Sequence, residues 1–253
     1  MMWKAIGKSV TGSLHVQAGK GCEDAIHYSI DNHSAALICF VSDGAGSATQ
    51  AAIASKLATQ TAHDFIVHQL QQHQPVTEPD IYQLAESVFD ALQQHAAHSK
   101  TSLAEYACTL LGCIIFAEYA CFIQVGDGAI VKNTGNDFYA PVWWPHNGEY
   151  QNTTFFINEN GHPHLKVLVT EEVINEVAIF TDGLQMLTLN YESNTAHHPF
   201  FKDMFKWLRI AHHPDQVGSL NQKLEEYLSS ATINNLTNDD KTLFLATRLQ
   251  QSV

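Results

Sequence analysis

The chain alternates between short apolar runs and stretches whose apolar residues recur every three or four positions. Residues 35–42 are a short apolar run suited to a buried strand. Beyond Gly44 and Gly46 the period lengthens. Ala51, Ala54, Ala58, Ala62 and Phe65 recur at helical steps and predict a helix reaching about residue 73. Pro75 and Pro79 part it from a second helix, on which Ile81, Leu84, Ala85, Val88, Leu92 and Ala96 repeat the pattern. Two amphipathic helices in succession predict one covered sheet face.

From Ala107 the period becomes that of strands. Residues 108–117, 120–126 and 129–132 predict a β-meander with tight turns. Residues 138–152, with Trp143-Trp144-Pro145 and Asn147-Gly148, predict an aromatic, irregular loop, either a packed surface feature or a flap over a site. Strands are predicted again at 154–157, 165–170 and 177–181. Helices follow over about 199–210 and 214–230, and a closing strand over 241–249. Ala-His-His-Pro occurs at 196–199 and at 211–214, each time before one of these helices. Proline at a helix start accounts for it, and adjacent histidines lack the i, i+4 spacing of a metal pair. No linker or break in composition divides the chain, so a single domain over 1–253 is expected.

Composition narrows the partners. A hydrophobic content of 45% over 253 residues supports a substantial core. A formal charge of −13 argues against nucleic acid or anionic membrane, which demand a basic face. Five cysteines, Cys22, Cys39, Cys108, Cys113 and Cys121, form no Cys-x-x-Cys pair, so neither a disulfide scaffold nor structural zinc is expected. The first eight residues lack a long apolar stretch, and no run has the length of a membrane span; a cytoplasmic protein is expected.

The candidate chemistry is acidic and sits at the ends of apolar runs. Asp43-Gly44, Asp127-Gly128 and Asp182-Gly183 each close one, and Glu23-Asp24 and Asp239-Asp240 flank the set. Any one Asp-Gly reads as an ordinary turn. Repetition after similar strands points instead to carboxylates gathered around hard divalent cations.

In order, Cys22-Glu23-Asp24-Ala25, Val41-Ser42-Asp43-Gly44-Ala45-Gly46, Val125-Gly126-Asp127-Gly128, Phe180-Thr181-Asp182-Gly183-Leu184 and Asn238-Asp239-Asp240-Lys241-Thr242-Leu243 resemble the protein phosphatase 2C family, the PPM-type metal-dependent serine/threonine phosphatases. The resemblance spans residues 12–249, and Gly12-Ser13-Leu14-His15 looks like a bacterial branch. It implies an α+β fold, a four-layer α-β-β-α sandwich of two antiparallel sheets flanked by antiparallel helices. It implies hydrolysis of protein phosphoserine and phosphothreonine by a water bridging two Mn²⁺ or Mg²⁺ ions, without a phosphoenzyme. Asp43, Asp182 and Asp239 would be catalytic. Asp43 would bridge the ions, Glu23 and the Gly44 carbonyl would bind one, and Asp182 and Asp239 the other. Asp24 would stand behind them, and Asp127 would match a position that helps hold a third, weaker ion in relatives. Asp240 stands where relatives often carry Asn and is left out of the ligand set. Oxygen donors of this kind favour Mg²⁺ or Mn²⁺ over zinc.

Two departures are visible. Relatives commonly carry an arginine shortly before the first acidic pair; here Gly19 takes that place, leaving His15 and Lys20 as candidates for phosphate contact. Ala45 follows Asp43-Gly44 where some relatives carry a histidine proposed as general acid, so a water would protonate the leaving oxygen. The departures leave room for a second reading, a catalytically silent metal-binding adaptor for phosphoproteins. A phosphohydrolase of the haloacid dehalogenase type fits less well, because that chemistry wants Asp-x-Asp and Leu184 stands two after Asp182. The implied partners are a phosphoprotein substrate and a cognate serine/threonine kinase, with the chain a monomer.

Overall fold

The computed structural model describes residues 3–135, 138–145, 154–159 and 162–249. In chain order the first elements are β1 (Lys4–Val10), α1 (Ser13–Gln17), β2 (Asp24–Ile30), β3 (Leu37–Asp43), α2 (Ala51–Gln71) and α3 (Glu78–Ser99). Then come β4 (Leu110–Ile115), β5 (Ala120–Val125), β6 (Ala129–Asn133), β7 (Ala140–Pro141), β8 (Lys166–Thr170) and β9 (Glu176–Phe180). The chain ends with α4 (Gln185–Thr188), β10 (Leu189–Asn190), β11 (Thr195–Ala196), α5 (His198–Ile210), α6 (Pro214–Leu228), α7 (Ala231–Asn234) and β12 (Lys241–Thr247). These fall into two compact units. The inner unit takes residues 23–127 and 145–172; the terminal unit takes 1–22, 128–144 and 173–253.

In the inner unit the sheet order is β2-β3-β4-β5-β8, antiparallel throughout. Helices α2 and α3 pack on it, and the residues of the predicted helical stripe are the ones buried: Ala54, Ala58 and Ala62 on α2, Leu84, Val88 and Leu92 on α3, against Ile38, Phe40, Ile114 and Ile123. Small residues let α2 approach the strands, while each fully buried Leu or Val of α3 stabilises by about 1.5–3 kcal/mol. A capping box between Thr77 and Asp80 starts α3, with proline in its first turn, and Lys100 in the left-handed region ends it.

In the terminal unit the order is β1-β12-β9-β6-β7, again antiparallel. Helices α5 and α6 close over it, with Phe201, Phe205, Leu208, Leu224 and Leu228 packed on Phe180, Leu243 and Leu245. Every residue of β12 is buried. The class is therefore α+β, two antiparallel sheets each covered by helices.

Three expectations are corrected. The meander stops after two strands: β4 and β5 pair, but β6 joins the terminal sheet beside β9, and β8 takes the place next to β5. Alternation marks a strand and not its neighbour; the chain leaves the sheet at Gly126, whose φ of 116° only glycine adopts readily. Residues 154–157 form no strand. Single contacts hold them instead: Thr154 to Asp127, Ile157 N–H to the Cys108 carbonyl at 2.9 Å, and Phe155 stacked on His164. Strands β1 and β2, like the two-residue β7, β10 and β11, had no counterpart among the predicted elements; most positions of β1 and β2 are only half-buried and mix polar with apolar residues. Of the aromatic loop predicted over 138–152, residues 140–141 form β7 beside β6, and residues 146–152 lie outside the described residues.

Candidate metal centre and active site

Strand β3 ends on Asp43, and the β2–β3 register sets Asp24 directly opposite it. Glu23 comes immediately before β2, and its carbonyl accepts from the Gly44 N–H at 3.2 Å. Glu23, Asp24, Asp43 and Gly44 thus meet at one corner of the inner sheet. Glu23 and Asp24 are buried, at 8% and 3% exposure. Like charges opposite one another on paired strands repel; two unit charges about 4 Å apart cost roughly 4 kcal/mol at an effective dielectric near 20. A divalent cation reverses the sign of that interaction. Gly44 is fixed by space, since a Cβ there would lie 2.6 Å from the Ala51 carbonyl oxygen at the start of α2.

Thr109 stands behind this corner. Its Oγ1 accepts from the Asp43 N–H at 2.9 Å, and its own N–H donates to the Asp43 carbonyl at 2.8 Å. A Cβ on Gly126 would come within 2.5 Å of the Thr109 Cγ2, so the same residue limits where the Gly126-Asp127 turn can run. Asp127 is half-buried and accepts from the Thr154 hydroxyl at 2.6 Å.

In the terminal unit, β9 leads through Thr181 into a short 3-10 turn at Asp182–Leu184. Thr181 is tied to β12: its Oγ1 accepts from the Thr242 N–H at 3.0 Å. A Cβ on Gly183 would sit 2.1 Å from the Asp240 carbonyl oxygen and 3.5 Å from the Asp239 Cβ, so glycine lets the Asp182 turn press against Asp239-Asp240. Asp239 is exposed, but its backbone is held: Lys241, fully buried, donates to the Asp239 carbonyl at 3.2 Å and to Asn234 Oδ1 at 2.9 Å.

Asp240 is an anchor. It accepts from the Gly12 N–H at 2.6 Å, faces the His15 Nδ1 at 3.0 Å, and donates its own N–H to Asp239 Oδ1 at 2.8 Å. A carboxylate at that distance selects the Nδ1–H form of His15. Lys20 is exposed, and its N–H donates to the His15 carbonyl at 2.8 Å. Neither Thr109 nor Lys241 stood out in the sequence as a site residue. The only signal was a polar residue next to an apolar strand.

The donors therefore lie in two sets, Glu23, Asp43, Gly44 and Asp127 in the inner unit, Asp182 and Asp239 in the terminal unit. Among the described residues, no three His, Cys, Asp or Glu side chains are gathered as an ion cage. The fit to a metal rests on donor chemistry: carboxylate and carbonyl oxygens suit a hard divalent cation. Thiol chemistry is disfavoured. Cys39, Cys108, Cys113 and Cys121 are free and buried, and burial pushes the Cys108 and Cys121 thiols up to about 12.

Two helix-covered antiparallel sheets with acidic strand ends are the architecture of a class of phosphatases. Residues 11–229 match the family described as Protein phosphatase 2C, and the chain belongs to that family of PPM-type phosphatases. Over 251 residues it is 32% identical to serine/threonine-protein phosphatase 3 of Escherichia coli (strain K12), covering 97% of this chain and 98% of that protein. The crystal structure of a bacterial serine phosphatase superposes with a TM-score of 0.64 at 16% identity, covering 99% of each chain. Serine/threonine phosphatase Stp1 from Staphylococcus aureus gives 0.63 at 16% identity, covering 98% of this chain and 95% of its own. A C. elegans sex determining protein gives 0.71 at 11% identity, covering 98% of this chain and 65% of its own. At such identities these structures share the fold.

Proposed function

We propose that this phosphatase hydrolyses phosphoserine and phosphothreonine in protein substrates with two Mn²⁺ or Mg²⁺ ions. The observation that carries the reading is the corner where buried Asp24 stands opposite Asp43 and buried Glu23 is bonded to a Gly44 that tolerates no side chain. Asp43, Glu23 and the Gly44 carbonyl would hold one ion in the inner unit, Asp182 and Asp239 would hold another in the terminal unit, and Asp127 would help to hold a third, weaker one.

When bound, such ions acidify a water for attack on phosphorus and neutralise charge on the phosphoryl oxygens. The chain's own contribution is positional. Thr109 fixes the Asp43 backbone, Lys241 fixes that of Asp239, and Asp240 orients His15. His15 and Lys20 are the proposed phosphate contacts. No side-chain nucleophile is needed, in keeping with the depressed acidity of the buried thiols. A phosphoprotein and its serine/threonine kinase are the proposed partners, with the chain acting as a monomer. Among the described residues no helix is long and apolar enough to cross a membrane. The free thiols suit a reducing cytoplasm.

Hydrolysis of a phosphothreonine peptide, with and without chelator, tests the reading. Chelation, Asp43→Ala and Asp182→Ala should each lower turnover by roughly a hundredfold or more, since each removes most of the electrostatic stabilisation of the transition state. Turnover that survives all three would sink the two-ion reading. Calorimetric Mn²⁺ binding without turnover would favour the adaptor.

A further inference from the structure

Helix α1 buries none of its five residues, and its Leu14 and Val16 are 53% and 63% exposed. Short helices in proteins are ordinarily held by an apolar face. This one is held by polar contacts: the Gly12 N–H on Asp240, His15 on the same carboxylate, and the Leu14 N–H on the Asn238 carbonyl at 3.1 Å. Burial within the chain therefore gives no reason for Leu and Val at these positions.

Two more exposed apolar residues lie close in sequence to Asp239 and Asp182. Leu236, 57% exposed, lies two residues before Asn238, and Met186, 81% exposed, lies three after Gly183. Gly12 and Gly183 both pack on Asp239-Asp240: a Cβ on Gly12 would sit 2.2 Å from the Asp239 carbonyl carbon, and one on Gly183 would sit 2.1 Å from the Asp240 carbonyl oxygen. Single exposed apolar residues are ordinary. Four on three segments whose backbones converge on one ion ligand call for a shared explanation.

We propose that Leu14, Val16, Leu236 and Met186 receive apolar side chains flanking the phosphorylated residue of protein substrates, and so set the enzyme's peptide preference. This rests on the phosphatase reading above. A substrate that presents its phosphoryl group to an ion held by Asp182 and Asp239 would run its chain over what surrounds them. A phosphopeptide is anionic and the enzyme carries −13, so long-range charge opposes the encounter. Short-range apolar contact next to the ligands compensates.

The test uses two phosphothreonine peptides, alike except for Leu and Val or Ser and Gly beside the phosphoresidue, assayed with Mn²⁺. The apolar-flanked peptide should have about tenfold higher kcat/KM, through lower KM at similar kcat. Leu14→Ser with Val16→Ser, and separately Met186→Gln, should bring the ratio of the two peptides towards one by raising KM for the apolar-flanked peptide. Equal kcat/KM for both peptides with the parent enzyme overturns the inference, as does a ratio unchanged in the variants. Variants that slow both peptides alike also overturn it, because the residues then serve the architecture of the site. Failure of the parent enzyme to hydrolyse either peptide or p-nitrophenyl phosphate overturns the phosphatase reading itself, and this inference with it.

Discussion

At the scale of single residues, the groups that matter most for the site are those that do no chemistry. Asp240 looks like one half of an acidic pair in the sequence, yet it is buried and ties Gly12 and His15 to the loop that carries Asp239. His63 on α2 bears on stability instead. Its Nε2 lies 2.7 Å from the Ser29 hydroxyl, its ring 4.3 Å from that of His27, and its Nδ1 3.5 Å from exposed Asp64. Burial first, and then the neighbouring His27, lowers its pKa below 6.5, against a smaller opposing pull from Asp64. As pH falls, the unfolded chain takes up this proton before the folded one does. The contribution is complete above about pH 6.5, declines between there and the lower folded value, and then levels off. Thermal unfolding of His63→Gln should show a shallower loss of Tm than the parent between about pH 7.5 and 5.5. Parallel curves would rule His63 out as the cause. The Asp31 carboxyl on the same sheet edge is lowered from 3.8 by Ser34 and titrates outside that window.

Elements place the ligands, and β9 shows how. Its end delivers Asp182, and its first residue, Glu176, is fully buried. Glu176 is also fully answered: the Arg209 Nε donates at 2.8 Å and its terminal nitrogen at 2.5 Å, Tyr139 donates at 2.8 Å and Thr247 at 2.9 Å. The network pins β9 to α5 and β12. Glu176→Ala would remove the carboxylate that balances the Arg209 guanidinium in a largely buried setting, at a cost of about 3–5 kcal/mol. Urea unfolding should show that as a lower midpoint with an unchanged slope. A loss below about 1 kcal/mol would mean the pair is no stronger than a surface ion pair.

For the whole molecule, the proposed ion binding would be linked to folding. A ligand that binds the folded chain stabilises it, by about 2.7 kcal/mol at a hundred times its dissociation constant. Added Mn²⁺ should therefore raise Tm, chelator should reverse the rise, and Asp43→Ala should shrink it markedly. Identical shifts in the parent and Asp43→Ala would place the stabilising ion away from the proposed centre. The proposed ligands come from residues as far apart in sequence as Glu23 and Asp239, and each compact unit is itself discontinuous. This arrangement is why no short segment of the chain reveals the site.

Period and chemistry were legible without coordinates. Helices α2, α3, α5 and α6 announce themselves because an amphipathic helix must repeat its apolar face every three to four residues. The acidic strand ends announce themselves because oxygen donors for a hard cation have few substitutes. Partnership was not legible. That β6 pairs with β9, that residues 154–157 hang on single contacts, and that Thr109 and Lys241 brace the ligands all depend on neighbours distant in sequence. A strand's alternation records which face is buried and is silent on which strand lies beside it. So the sequence determined the main helices, the candidate ligand types and the family, while tertiary structure alone decided pairing, anchoring and which apolar residues stay exposed.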